Sequence, residues 1–467
     1  MIQAEAGVIP AELLDELRQE LGADAVLTGD DVHERSAGIW RKDTIAAGAI
    51  VRPRSTEQVA LVLKACHAAG QPVVTHGGLT GLVKGALTAP NELVLSMERM
   101  NRIEAIHPVD RTAVVQAGVL LQHLQEAADA EGLLYPLDLG ARGSCTVGGN
   151  IATNAGGNRV IRYGMTRDMV LGLEAVLADG TIVSSMNQMI KNNAGYDLKQ
   201  LFIGTEGSLG IVTRAVLRLR EKPGNQATLF AALESFDDLG RFLKHMDAAL
   251  SGTLSAFEVM WQNFYTLVTT PPAQGQPPLP QTYPYYVLVE ALGATDAVVE
   301  AALASALEEG LIADAVLAQS EAQRLGLWAL RDDVEQCFQY APTFTFDVSL
   351  RITHMQSYVD EVNARLAASY EAPRNFTFGH MGDGNLHFVV AVGEGGPAHR
   401  AAVERCVYEP LAAIGGSVSA EHGVGLEKKP WLGISRSAEE LALMGTLKRA
   451  LDPQGLLNPG KIFDVIA

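Results

Sequence analysis

Cysteine is scarce in this chain of 467 residues: Cys66, Cys145, Cys337 and Cys406 lie far apart, with no C-x-x-C pair among them. That spacing gives no zinc knuckle and no dithiol redox centre, and it fits a reducing, cytoplasmic compartment. Basic charge is also short. Lys and Arg number 36 against 54 Asp and Glu, a formal net charge of −18. A surface that acidic repels phosphate backbones and argues against nucleic acid as a partner. The one extended uncharged stretch, residues 259–289, is interrupted by Pro271, Pro272, Pro277, Pro278, Pro280 and Pro284, so it does not read as a membrane-spanning helix. Signal-peptide character is missing too: Met1 to Leu21 carries Glu5, Glu12, Asp15 and Glu16 and reads as an amphipathic helix. These absences predict a soluble protein and leave peripheral membrane docking open.

With 48% hydrophobic and 19% charged residues the chain can bury large cores, and its length predicts two or three domains. From Ile45 to about Arg220 short apolar strands such as 49–51 and 72–75 alternate with helices such as 56–69, an α/β pattern. Lys222-Pro223-Gly224 marks a boundary. Beyond it longer helices, at 238–250 and 294–309, alternate with strands at 285–290 and 344–350. Residues 259–289 read as a helix running into a proline-rich surface loop, either a lid or a connector. Residues 438–451 form a last helix before a short tail ending Asn458-Pro459-Gly460-Lys461-Ile462-Phe463.

Glycines gather in three places, each beside a predicted strand: Gly77-Gly78-Leu79-Thr80-Gly81, Gly140 to Gly157, and Gly204 to Gly210. Backbone amides converge on an anion only where side chains do not crowd them, so the first cluster suits a diphosphate. The second contains Ser144, Thr146, Gly148, Gly149, Ile151, Thr153, Asn154 and Gly156, small and amide-bearing residues able to lie flat against an aromatic heterocycle. None of the clusters matches G-x-G-x-x-G, so a Rossmann dinucleotide unit is not supported. Three such turns suggest one extended ligand, although strand-to-helix connections also use glycine for purely steric reasons.

A second constellation lies further on. In Phe376 to Val390, Asp383-Gly384 predicts a two-residue hairpin turn, which sets His380 directly opposite His387, at a separation suited to sharing a divalent ion. Glu421-His422-Gly423-Val424-Gly425 offers a third ligand, with the glycines allowing the bend that brings adjacent side chains into one pocket. Arg331 is a cation able to grip a carboxylate in bidentate fashion, unless it is a solvated helix residue paired with Asp332 or Glu335.

The second cluster, Tyr163-Gly164 and Ile203-Gly204-Thr205-Glu206-Gly207-Ser208-Leu209-Gly210-Ile211 resemble the FAD-binding half of the vanillyl-alcohol oxidase and p-cresol methylhydroxylase flavoproteins. Within them the chain is most similar to FAD-linked D-2-hydroxy acid dehydrogenases, of the D-2-hydroxyglutarate and D-lactate types. The resemblance runs from Arg52-Pro53 to Lys461. It implies an α/β (α+β) fold with a PCMH-type FAD-binding domain over residues 1–222 and a substrate- and metal-binding domain of antiparallel sheet and helices over 223–426. A C-terminal helical segment, 427–467, then returns to the first domain. FAD is implied at the first cluster by its diphosphate and along the second by its isoalloxazine, with Glu206, Gly207, Gly210 and Ile211 toward the adenosine and Asn458 also in contact. Because His76 precedes the double glycine, the cofactor is expected to be noncovalent. The resemblance further implies zinc on His380, His387 and Glu421, His422 as base, and Arg331 on the substrate carboxylate.

Departures bear on the substrate. The D-2-hydroxyglutarate enzymes resembled here lead one to expect threonine, lysine and asparagine where this chain has Glu335, Thr345 and Val389. A cation lost and an anion gained weaken the grip on a dicarboxylate unless Arg351 or Arg374 compensates. Phe344, Phe346 and Val389 either line a more apolar pocket, favouring D-lactate or a larger monocarboxylate, or simply fill the core. Oxidation of the alcohol requires loss of the hydroxyl proton to His422 and hydride transfer to flavin N5. Electrons are expected to pass on to a quinone or an electron-transfer flavoprotein, and a homodimer is compatible with the sequence. Two competing readings are a zinc hydrolase using the glycine loops as scaffold, and a flavin-binding subunit of a multi-chain oxidase of the glycolate oxidase kind.

Overall fold

Ser55 starts the first long helix by accepting a hydrogen bond from the Gln58 amide, and Gly70, at φ 63°, ends it, so Thr56–Ala69 forms as the sequence predicts. Its apolar stripe, Val59, Val62, Leu63 and Cys66, packs on a four-stranded sheet. The sheet order is Val26–Thr28, Ala49–Val51, Leu93–Ser96 and Val73–His76, parallel except for the first strand. The structure is a computed structural model, and it describes residues 8–39 and 41–464. A helix occupies Ala11–Leu21. The part of the N-terminal expectation on residues 1–7, Glu5 included, lies outside the described residues.

Contacts divide the chain into two units: one of residues up to Gly156, Met165–Lys222 and from Glu421 onward, the other of Gly157–Gly164 and Pro223–Ala420. The first unit adds a five-stranded antiparallel sheet, Ile103–His107, Thr112–Gln116, Ile211–Arg218, Val170–Val176 and Ile182–Ser185 in spatial order. Its closing helix, Ala438–Leu451, carries a capping box between Ser437 and Glu440.

The second unit is built on seven antiparallel strands. Their order is Asp314–Leu317, Gln226–Leu233, Tyr285–Leu292, Leu254–Trp261, Arg374–His380, Asn385–Ala391 and Thr343–Ser349. Every residue of the strands at 254–261 and 285–292 is buried, as expected where helices cover both faces. On one face Phe242 meets Phe257, Tyr358 meets Phe388 and Tyr408 meets Phe346. On the other, Gln262–Val268 and Glu321–Asp332 pack on Phe230, Met260, Tyr286, Phe376, Phe378 and Val389. The stretch read as helix into loop therefore begins as a central strand, and its prolines follow the short helix. The Tyr265 hydroxyl pins the proline-rich loop by donating to the Leu279 carbonyl at 2.7 Å and accepting from the Leu279 amide at 3.1 Å. Phe346 packs against Tyr408 on the face opposite Val389, so within this unit it fills the core. Phe230 is fully buried against Tyr265 and Tyr286. Phe230→Ala is expected to cost about 3–5 kcal/mol, measured as a lower urea midpoint of the transition that reports this unit.

Candidate active site

In the first unit the three glycine segments, far apart in sequence, meet. A Cβ at Gly78 would lie 2.0 Å from the Ser144 carbonyl oxygen, and one at Gly77 would lie 2.6 Å from Thr146 Oγ1, so only glycine permits this approach. Thr146 caps the helix Val147–Thr153, where the Gly149 amide donates to Thr146 Oγ1, the Gly148 amide to the Ala117 carbonyl, and Thr153 Oγ1 to the Gly149 carbonyl. The third segment docks on this helix: the Gly204 amide donates to the Ile151 carbonyl at 3.0 Å and the Glu206 amide to the Ala152 carbonyl at 2.8 Å. Asn154, with φ 50°, ends the helix and accepts from the Arg167 amide. Asn458 joins the first segment to the third, its Oδ1 accepting from the Thr75 amide and its Nδ2 donating to the Glu206 carbonyl.

Leu79, with φ 55°, Thr80 and Gly81 continue the first loop, and a Cβ at Gly81 would meet open space. Gly156 is buried and Gly207 has φ 72°. Gly210 lies against Phe202, where a Cβ would come within 2.7 Å of the ring. Ile151 and Ile211 have their side chains in the core, so any hand they have in the cradle is through the backbone. Tyr163 and Gly164 group with the second unit. His76 is buried with its Nε2 donating to the Ala86 carbonyl at 2.9 Å, and burial pushes its pKa down to about 4, which keeps it neutral.

The second unit sets a polar row across an apolar sheet face. The expected hairpin register is wrong by two residues: His387 stands opposite Phe378, not His380. Met381–Asp383 curl into a helical turn that buries Met381, and Gly384, at φ 89°, closes it, so the turn is longer than Asp-Gly alone suggests. Alternate strand residues share a face, and a shift of two preserves it. The imidazoles still meet, with ring centroids 5.2 Å apart and edge to face. His387 Nδ1 is 4.0 Å from Asp347 Oδ1.

Arg331 is buried, not solvated. Its Nε donates to Glu258 Oε2 at 2.8 Å, its Nη2 is 3.5 Å from His380 Nε2, and its Cζ lies 4.9 Å from the Phe378 ring centroid. His380 Nδ1 is 2.8 Å from Glu258 Oε1. Burial alone would raise the Glu258 carboxyl, but His380 and Arg331 outweigh it and hold the group below its ordinary value. Val389 is buried beside Phe376 and Phe378, whereas Thr345 and Glu335 are exposed, Glu335 in a short turn beyond the end of the Arg331 helix.

Models of the FAD binding domain and of the C-terminal domain of FAD linked oxidases match residues 47–185 and 222–462. The chain is 43% identical over 432 residues to the D-2-hydroxyglutarate dehydrogenase of Xanthomonas citri pv. viticola, covering 89% of each chain. The chain belongs to the FAD-linked D-2-hydroxy acid dehydrogenases. The mitochondrial D-2-hydroxyglutarate dehydrogenase of Bos taurus is 41% identical, over 88% of this chain and 76% of its own. In fold the chain resembles p-cresol methylhydroxylase with substrate bound, at 18% identity and TM-score 0.78, over 98% of this chain and 99% of that one.

For a member of this family the donor chemistry on the sheet face fits a divalent metal: two imidazoles among carboxylates suit zinc. Nearby, Asn385 donates to Asp347 while its own buried Oδ1 has no hydrogen-bond partner among the described residues. Asp347 Oδ2 accepts the Ala420 amide at 3.1 Å, anchoring the chain immediately before Glu421 and His422. On their far side Glu206 accepts the amides of Val424, at 2.7 Å, and Gly425, at 3.0 Å. Gly423, with φ 83°, and Gly425, with φ 51°, supply the bend expected between them. Burial raises the Glu206 pKa against the pull of those amides.

Sequence reasoning missed Glu258, Glu290 and the anchoring roles of Asp347 and Glu206. The signal was there: Glu258, Glu290 and Asp347 are each the only charged residue in an otherwise uncharged strand. No helix among the described residues is long and apolar enough to cross a membrane. Gly78→Ala should wedge the first cradle segment from the second. Overpacking costs about 1–3 kcal/mol, so FAD affinity, followed by flavin fluorescence quenching, should fall by on the order of tenfold.

Proposed function

We propose that this chain oxidises a D-2-hydroxy acid to the corresponding 2-oxo acid, with noncovalent FAD in the glycine cradle as hydride acceptor. The observation that carries this reading is the convergence of three remote glycine segments in a chain so similar to FAD-linked dehydrogenases. When bound, FAD supplies a two-electron acceptor and a divalent ion supplies Lewis acidity at the substrate hydroxyl. His422 takes the hydroxyl proton as the hydride leaves the same carbon. His380, His387 and Glu421 hold the ion, zinc by their donor chemistry. Arg331 receives the substrate carboxylate on its Nη edge, since Glu258 engages the guanidinium at Nε. His76 Nε2 is committed to a backbone carbonyl, which supports a noncovalent flavin. A zinc hydrolase would leave the cradle without a purpose.

The preferred substrate has an uncharged C3 substituent. Val389 is packed in the core and supplies no cation, and Arg374, a cation on the same strand face, is exposed and lies over the Tyr340 ring with its Cζ 4.5 Å from the centroid. The electrons pass to a quinone or an electron-transfer flavoprotein. Anaerobic bleaching of the purified protein should be faster with D-lactate or D-mandelate than with D-2-hydroxyglutarate, and absent with L-isomers; faster bleaching by the dicarboxylate overturns this preference. General-base catalysis contributes about 10²–10⁴-fold. His422→Ala should therefore keep flavin and metal but lose bleaching by about that factor, and wild-type bleaching in the variant removes His422 from the base role.

A further inference from the structure

Glu258 is the one acid in the strand Leu254–Trp261, with about 1% of its side chain exposed, and it touches two groups the proposed reaction needs. Its register explains why. Glu258 stands between Leu288 on one neighbouring strand and His380 on the other, at the centre of the sheet. Helix Glu321–Asp332 lowers Arg331 onto the same face. An uncompensated carboxylate there would be very costly, and this one is compensated from two sides: His380 Nδ1 lies 2.8 Å from both its oxygens, and Arg331 Nε donates to Oε2 at 2.8 Å.

A carboxylate accepts hydrogen bonds and cannot donate one, so its contact with His380 requires the proton on Nδ1. That selects one tautomer and presents Nε2, 3.5 Å from Arg331 Nη2, as the lone-pair nitrogen of a ring whose centroid is 5.2 Å from that of His387. We infer that Glu258 is a positioning residue for the divalent metal: it fixes the tautomer and orientation of His380 and offsets the Arg331 charge that would otherwise repel a cation nearby. Carboxylates behind metal-binding imidazoles raise the basicity of the ligand, and their loss typically weakens metal binding about 10–100-fold. The inference rests on the metal reading above and deepens it.

Glutamine at 258 keeps the volume, but its amide carbonyl can accept from only one of the two donors while its NH2 opposes the other. The test is zinc affinity of the FAD-loaded, chelator-stripped protein, titrated with ZnCl2 against a chromophoric chelator, for wild type, Glu258→Gln and His387→Ala. Flavin content and far-ultraviolet circular dichroism serve as fold controls. The expected result is a 10–100-fold loss of zinc affinity in Glu258→Gln with flavin content unchanged. A loss under threefold there, alongside a large loss in His387→Ala, overturns the Glu258 inference and leaves the metal site standing. Wild-type zinc affinity in His387→Ala overturns the metal reading itself. Should Glu258→Gln not fold, a zinc-loaded wild-type crystal decides: zinc on His380 Nε2 supports the inference and zinc on Nδ1 overturns it.

Discussion

A carboxylate buried in the middle of a sheet must be surrounded by donors, and that requirement organises much of the second unit. Three of its strands, two central and one at the edge, each bury one acid. Glu258 collects His380 and Arg331. Glu290 collects Arg159, Trp328, Ser255 and Gln226, and so ties Gly157–Gly164 to this unit. Asp347 collects Asn385 and the Ala420 amide. Breaking such an arrangement from one side strands a charge at a cost of several kcal/mol, whereas the intact set adds little net stability. What the burial secures is placement: an arginine, a histidine and the root of the Glu421-His422 arm are each held by a buried acid.

The first unit solves a different problem, bringing backbone rather than side chains to a ligand. Its cradle is closed by contacts too tight for any side chain at Gly77 or Gly78, and Asn458 stitches its ends together from the far end of the chain. A buried acid recurs here as well. Glu206 spends its carboxylate on the amides of Val424 and Gly425 and so steadies the bend that follows His422.

Local signals carried far along this chain. The helices at 56–69 and 438–451 could be read because caps and an apolar stripe depend only on neighbours in sequence. The glycine segments and the paired histidines were visible as residue types at telling spacings. The hairpin register was misread because turn length is decided by what the turn buries, here Met381, and not by the Asp-Gly pair alone. The face survived the error, since a slip of two leaves alternation intact.

By itself, the order of residues determined many of the helices and strands, though not the strand Leu254–Trp261, together with the chemistry the chain carries and the family to which it belongs. Only the tertiary structure decided that Arg331 and His380 share Glu258, that Asn458 meets Glu206, and that Ile151 and Ile211 turn inward. The physical reason is range. Propensity and periodicity are set within a few residues, whereas the pairing of a buried charge is settled by whichever donor, from anywhere along the chain, packing brings within about 3 Å.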